Sequence, residues 1–485
     1  MSLLHIPVEY SPQASISDNE NKQISIESLR VKGIKYVRIQ YVDLTNIIHF
    51  RLIPLPYFAK LLKTSRPGTA IAKVALGLVF ITVADGFSPT GEYLYAIDPS
   101  TLRICTYAPG HASIMGWFQE KVPVDLGCRL SLEVNICPRT VLKRIVDQAR
   151  NEHNVAFLLG FESEFILLKN TSPIEATNPH GWCASAALPS GSVETRAVEE
   201  IIDSLIESGI EVQVVHSEAA PGQYEVVTGP LEPLQAVDAL IHTRETIFNI
   251  ASKHGLRGTL APRVYMDSCG TASHTHMSIH SLNPDSETTS NSHATTNNTP
   301  PLTKNEAAFA SSLLTHLPDI SLLLLPTAAS YLRMTDGVWS GGTYVCWGTD
   351  NREAPLRLCN AHAPGGPKGG RNFELKTMDG TANPYLAMAA VLGAGLEGIK
   401  KGLGVQDMPS EYAGEKAAAF LSEEERKKRG IVDRLPLDLQ TARKRFEESE
   451  IAKTIFGEDF VRRYLDVNKV SRTPTAVFVL AFNVT

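Results

Sequence analysis

The sequence has no Cys-x-x-Cys pair, and its seven cysteines lie scattered at positions 105, 128, 137, 183, 269, 346 and 359. An odd, unpaired set speaks against a disulfide framework and a zinc ribbon, and for reduced thiols in a cytoplasmic compartment. Positive charge is not in excess either: 46 Lys and Arg stand against 52 Asp and Glu, a net charge of −6. No nucleic acid and no membrane are therefore expected as partners. No uninterrupted apolar run approaches the roughly 20 residues of a bilayer span. The opening "MSLLHIPVEYSPQASISDNENKQ" lacks the basic flank and apolar centre of a signal peptide. Glycine-rich nucleotide loops of the Walker A and kinase kinds are missing as well. What is present is 43% hydrophobic and 20% charged residues in 485. That suits a globular chain of two or three domains.

Residues 1–22 are polar and expected to be disordered. "SIESLRVKGIKYVRIQYVDLTN" reads as a short helix followed by a strand, with Val37, Ile39 and Tyr41 alternating with Arg38 and Gln40. Strand and loop signals continue to about residue 130. "RTVLKRIVDQARNEHN" is an amphipathic helix with Val141, Ile145, Val146 and Ala149 on one stripe. "VETRAVEEIIDSLIESGIEVQVVH" reads as a helix stopped by Gly209, then a strand. Residues 281–303 are polar and of low complexity, an expected insertion. Residues 381–400 form a small-residue helix suited to close packing, and 412–466 read as helical. The tail "TPTAVFVLAFNVT" is apolar for a terminus, and no internal repeat is visible.

The chemistry starts at "GFESEFILL", an apolar strand that carries Glu162 and Glu164. A period of two puts both carboxylates on one face, about 6–7 Å apart. Buried carboxylates are costly unless paired or bound to a metal, so a cation should face them. "VVHSEAAPGQYEVVTG" adds His216, Glu218 and Glu225, which alone would suit a surface loop. "TASHTHMSIH" places His274, His276, Ser278 and His280 on one strand face, a pattern for metal or phosphate, although a single histidine is more often a satisfied core residue. "NFELKTM" aligns Glu374 with Lys376, which could be a plain exposed ion pair. "SYLRMTDG" and "WGTDNREAPLRL" contribute Arg333, Arg352 and Arg357. Carboxylates with few histidines favour Mg²⁺ or Mn²⁺ over zinc. With arginines added, the set describes a site for nucleotide phosphates and phosphoryl transfer.

The ordered motifs "GFESEF", "HSEAAPGQYE", "HTHMS", "SYLRM", "WGTDNREAPLR" and "DGTANPYLA" resemble the glutamine synthetase superfamily in its type I, bacterial-like form. The pattern is most similar to γ-glutamylpolyamine and γ-glutamylanilide synthetases and to fungal synthetase-like domains, and it covers about residues 25–470. The resemblance implies an α+β fold: a small N-terminal β-grasp-like domain over 23–130, and a catalytic domain over 131–485 with an antiparallel sheet funnel flanked by helices. It implies ATP and at least two Mg²⁺ or Mn²⁺ ions per site. Glu164, Glu218 and Glu225 match the ligands of one ion, and Glu162, His274 and Glu374 those of the other. His276, Ser278, Arg352 and Arg357 match nucleotide and phosphate contacts. Glu164, Gly270, Arg333 and Lys376 match positions around the amino-acid substrate, and Arg333 and Arg352 also count as catalytic. Asp43 matches an aspartate that reaches a neighbouring subunit's site and attracts ammonium, which implies a homo-oligomer of stacked rings, a decamer or dodecamer.

Departures from the family pattern concern the amine. The flap glutamate that takes a proton from ammonium aligns with Ser340, beside Trp339, Gly341 and Gly342; Asp336 is the nearby acid that could replace it. A substrate-contacting asparagine aligns with Cys269, a second substrate arginine with Lys376, and the "NSY" before the first arginine is "ASY". The expectation is an ATP-dependent carboxylate–amine ligase that acts through an acyl phosphate, with an organic amine as acceptor. An ordinary glutamine synthetase using ammonium, a catalytically impaired assembly or signalling protein, and a metal-dependent hydrolase are the rival readings.

Overall fold

The computed structural model describes residues 10–12, 25–125, 127, 129–179, 187–283, 302–337, 342–363, 366–412, 414 and 416–470. Trp339, Ser340, Gly341, most of the 1–22 and 281–303 segments, and the tail from 471 lie outside the described residues.

Two four-stranded sheets form the N-terminal part. One runs Ile48–Pro54, Tyr36–Val42, His111–Ile114, Arg103–Ile104, with the middle pair parallel. The other runs Leu130–Glu133, Gly116–Asp125, Glu92–Ile97, Gly68–Ala72. Tyr41, Tyr95 and Phe118 meet at tilted and edge-on angles between them, with centroids 4.8–5.6 Å apart. The Tyr36–Val42 strand follows its alternation only in part. Gln40 is as buried as its apolar neighbours. A helix, Pro233–Lys253, covers that face of the strand, so Gln40 and Arg38 meet Glu245 instead of water.

A larger sheet organises the rest. Its main path runs Val212–Ser217, Gln223–Leu231, Val155–Thr171, Thr275–Ser281, Asn372–Leu375, Leu356–Cys359, Trp347–Thr349. The neighbours are antiparallel except the last pair, which is parallel. The sheet does not close. Its central strand is 17 residues long and is buried from Val155 to Leu168 except at the half-buried Glu162. Thr275–Ser281 pairs it from Val155 to Phe161, and Arg257–Thr259 pairs the same edge from Ile166 to Leu168. The stretch 162–165 lies between these two ladders, so its free edge can receive a passing loop.

Helices back the sheet. Pro138–His153 starts on a proline, which has no N–H to leave unpaired, and ends at Asn154 in the left-handed region. Lys304–Leu324 opens with a capping box of Thr303 and Glu306. It is long and apolar enough to cross a bilayer, but 83% of its most apolar window is buried within the protein, so it is a core helix. It packs along Pro384–Lys401, the small-residue helix, where Gly395 and Gly398 let the two backbones approach. The 412–466 segment is less helical than its composition suggests. Helices occupy Glu423–Lys428, Leu439–Glu448, Glu450–Phe456 and Glu458–Val470. Gly430, at φ +71°, and Pro436 break the pattern between the first two.

Candidate active site

Strand register brings the acids together. His216 lies opposite Glu225, and Glu225 opposite Glu164 on the central strand. On the other side Gly160 lies opposite His276, His276 opposite Glu374, and Glu374 opposite Arg357. Glu162 stands between these two rows. The loop before Thr275 fills the open edge at 162–165: the Glu162 N–H donates to the His274 carbonyl at 3.0 Å, and the Ala272 N–H to Glu164 Oε2 at 2.9 Å. Gln223 Nε2 donates to Glu164 Oε2 at 2.8 Å and to the Gly270 carbonyl at 3.1 Å. His274 Nδ1 lies 2.8 Å from Glu162 Oε2, and 3.6 Å from both Glu164 Oε1 and Glu374 Oε1. His276 Nε2 lies 2.9 Å from Glu162 Oε1, and its Nδ1 2.8 Å from Asn372 Oδ1.

Like charges directly opposite on neighbouring strands repel, and burial adds a desolvation cost. Both effects show in the acidities. Burial, and then the charges of Glu162, Glu164 and Glu218, push the Glu225 carboxyl up to about 10. Glu164 is raised too, by burial first and by Glu218 after the opposing pull of His274. Burial would also raise Glu162 and Glu374. Hydrogen bonds from His274 and His276 outweigh it and hold Glu162 well below the usual carboxylate range. Lys376, His274 and His276 do the same for Glu374, at about 2.

The donor geometry fits divalent cations. Among the described residues, three sets place one ligand atom from each member within 4.8 Å of the others: Glu162, His274 and Glu374; Glu164, Glu225 and His274; and His216, Glu218 and Glu225. His274 Nε2 is buried with no hydrogen-bond partner among these residues. The first set is the expected one. Glu164 and Glu218 each group with Glu225, and His216 joins Glu218, with Nε2 to Oε1 at 3.2 Å.

A cavity of about 630 Å³ adjoins the acids, lined in part by Glu162, His276, Ser278, Arg357 and Asn372. Arg357 donates to Glu374 Oε2 at 3.0 Å, and the Ser278 hydroxyl bonds His280 at 2.8 Å. The expected substrate residues gather beside Glu164. Arg333 donates to the Lys376 carbonyl at 2.7 Å, and a Cβ at position 270 would come within 2.6 Å of the Arg333 side chain, so only glycine fits there. Lys376 pairs with Glu374; both are buried, so this is not an exposed ion pair.

A family model described as glutamine synthetase, catalytic domain, matches residues 135–477. The chain belongs to the glutamine synthetase family. Protein fluG of Emericella nidulans is 34% identical over 479 residues, which is 95% of this chain and 50% of that protein; the chain spans about half the length of this relative. The γ-glutamylpolyamine synthetase GlnA3 of Streptomyces coelicolor is 31% identical over 393 residues, covering 80% of this chain and 79% of its own. The solved structure of GmaS with ADP has the same fold, with a TM-score of 0.74 at 22% identity over 92% of this chain and 94% of that one. The glutamine synthetase family binds ATP and divalent metals.

Other expected positions lie apart from these donor sets. Arg352 is exposed and does not line the cavity. The Asp43 carboxylate is tied into its own turn: it accepts from the Thr45 and Ile47 N–H groups and the Thr45 hydroxyl, and meets His49 Nε2 at 2.8 Å. Asp336 is held by Arg434 at 2.6 Å and by the Thr343 hydroxyl. Gly342 takes a left-handed backbone at φ +64°. Gln223 and Asn372, which orient Glu164 and His276, sit inside the quoted motifs "PGQYE" and "NFEL". Neutral amides carry no charge signal in a sequence, so only their contacts reveal the role.

Proposed function

We propose that the chain is an ATP-dependent ligase that joins the side-chain carboxylate of glutamate, or of a closely similar acid, to an organic amine. The observation that carries this reading is the row of Glu225, Glu164, Glu162, His274 and Glu374 beside a cavity of nucleotide size lined by His276, Ser278 and Arg357. The oxygen-rich donor sets suit Mg²⁺ or Mn²⁺. Glu164, Glu218 and Glu225, and Glu162, His274 and Glu374, would hold the ions, which when bound neutralise charge on a transferring phosphoryl group. Arg357 faces the same region and adds positive charge there. Arg333 and Lys376, beside Gly270, orient the acid. Its carboxylate oxygen attacks the γ-phosphorus and ADP leaves; the amine nitrogen then attacks the acyl carbon, loses a proton and releases inorganic phosphate.

The amine attacks only as its free base, so the site must accept a proton and exclude water. Ser340 cannot supply the family's flap carboxylate, and Asp336 is already engaged by Arg434. These two points, with the likeness to the Streptomyces γ-glutamylpolyamine synthetase, support an organic amine over ammonium. A ring assembly is supported by Phe50 and Leu52, both exposed on one face of the edge strand Ile48–Pro54. The free thiols of Cys105, Cys137, Cys269, Cys346 and Cys359 support a cytoplasmic location.

Steady-state phosphate release with glutamate and Mg-ATP tests the reading, using ammonium and then a panel of alkyl, poly- and arylamines. An organic amine should exceed ammonium by about tenfold or more in kcat/KM. Ammonium as the best acceptor would make this an ordinary glutamine synthetase. No turnover with any amine would leave an assembly or signalling role on the same fold.

A further inference from the structure

The cavity beside Glu162 has a neighbour. A second cavity, of about 620 Å³, lies where Gln40 and Trp117 of the N-terminal sheets approach Arg139 and Asp238 on the helices. Four residues line both cavities and part them: Tyr10, Leu158, Glu211 and Pro230. Leu158, Glu211 and Pro230 belong to the large sheet or to the residue leading into it. Tyr10 comes from a stretch distant in sequence and is anchored twice. Its hydroxyl donates to the Glu211 carboxylate and accepts from Gln213 Nε2 at 2.7 Å. Burial and then the Glu211 bond push the phenol up to about 12, so it remains a donor at neutral pH. Pro12, two residues on, is buried, which seats the stretch.

Position along the sheet says what this partition could touch. Leu158 is four residues from Glu162 on the central strand, about 13 Å away. That is comparable with the reach of a nucleoside triphosphate from its γ-phosphorus to its base. The Glu162 part of the cavity has His276 and Arg357, suited to phosphates. Leu158, Pro230 and the Tyr10 ring give the cavity an apolar part, and Gln213 offers an amide edge.

We infer that Tyr10 forms the base-end wall of the nucleotide cavity and gives it preference for a nucleotide over a bare polyphosphate chain. The inference rests on the nucleotide reading above. A ring offers a large, rigid apolar surface at low entropic cost. Without it that side of the cavity would lose its ring, and a bound base would be less shielded from water there.

Titration calorimetry of the full chain with ADP and with tripolyphosphate, in the same Mg²⁺ buffer, tests this. Tyr10→Ala should weaken ADP about tenfold or more and leave tripolyphosphate unchanged. Tyr10→Phe keeps the ring but loses its anchor, and should fall between. Equal ADP affinity in all three proteins overturns the inference. Tighter ADP binding by Tyr10→Ala also overturns it, because the stretch would then obstruct the cavity. So does a parallel loss of both ligands, which would mark a general disturbance. A wild-type chain that binds neither ligand removes the nucleotide reading itself, a distinct result from a wild-type chain that binds ADP and a Tyr10 variant that binds it equally well.

Discussion

Glu164 faces Glu225 across the strand pair, and both acids are buried with raised pKa values. Such a pair costs stability until a cation lies between its members. Glu164→Gln separates this cost from its use. Glutamine keeps an oxygen acceptor for Gln223 and the Ala272 N–H, yet removes one charge. In chelator the variant should melt at or above the wild-type temperature. With Mn²⁺ at about 100 times its dissociation constant, the wild type should gain roughly 2.7 kcal/mol for each occupied site, and the variant should lose the share of the site that Glu164 serves. Metal-dependent ATP turnover should vanish in the variant. An unchanged metal-induced shift in melting temperature, read by scanning calorimetry, would remove Glu164 from the ligand set.

Helices Lys304–Leu324 and Pro384–Lys401 pack against each other behind the large sheet. A Cβ added at Gly398 would lie 2.0 Å from the Ala308 carbonyl oxygen, and one at Gly395 would lie 2.1 Å from the Phe309 ring. Backbone cannot yield there without parting the helices. Alanine improves helix propensity by up to about 1 kcal/mol over glycine, while overpacking costs typically 1–3 kcal/mol or more. Gly398→Ala should therefore be destabilised by about 1–2 kcal/mol, measured by urea denaturation at fixed protomer concentration. A stabilised variant would show that this contact is looser than described. The small-residue composition of 381–400 already pointed to close packing; the identity of the facing helix came only from the fold.

At the scale of the whole molecule, the edge strand Ile48–Pro54 leaves Phe50 and Leu52 about half exposed, at 48% and 46%, and Tyr57 follows at 59%. Unpaired edges with apolar side chains are usually covered in the working protein. If rings form through this edge, the double variant Phe50→Glu, Leu52→Glu should sediment as smaller species and lose turnover together with assembly. A wild-type chain that sediments as a monomer yet is fully active would contradict the ring and the shared role given to Asp43.

Amino-acid order alone pointed to the family, the strand that bears Glu162 and Glu164, and the acids and histidines that the sheet brings together. Those features are local: a period of two, a motif and its spacing survive in a one-dimensional reading because they depend on near neighbours. It also gave sound boundaries for Pro138–His153 and Val193–Glu207, where stripe and cap lie within one helix. Only the tertiary structure decided how the acids are grouped. Glu225 is shared by two donor sets because register places it opposite both Glu164 and His216. Burial had the same character. Gln40 looked like a solvent-facing residue and is covered by a helix some 200 positions later, at Glu245. Lys376 and Glu374 could have been a surface pair and are buried, because Thr275–Ser281 and Leu356–Cys359 flank their strand. Tyr10 falls in a stretch that reads as a polar tail, and its hydroxyl meets Glu211 and Gln213. Contacts between residues far apart in the chain leave no periodic trace in sequence, since each partner is chosen by the packing of everything between them.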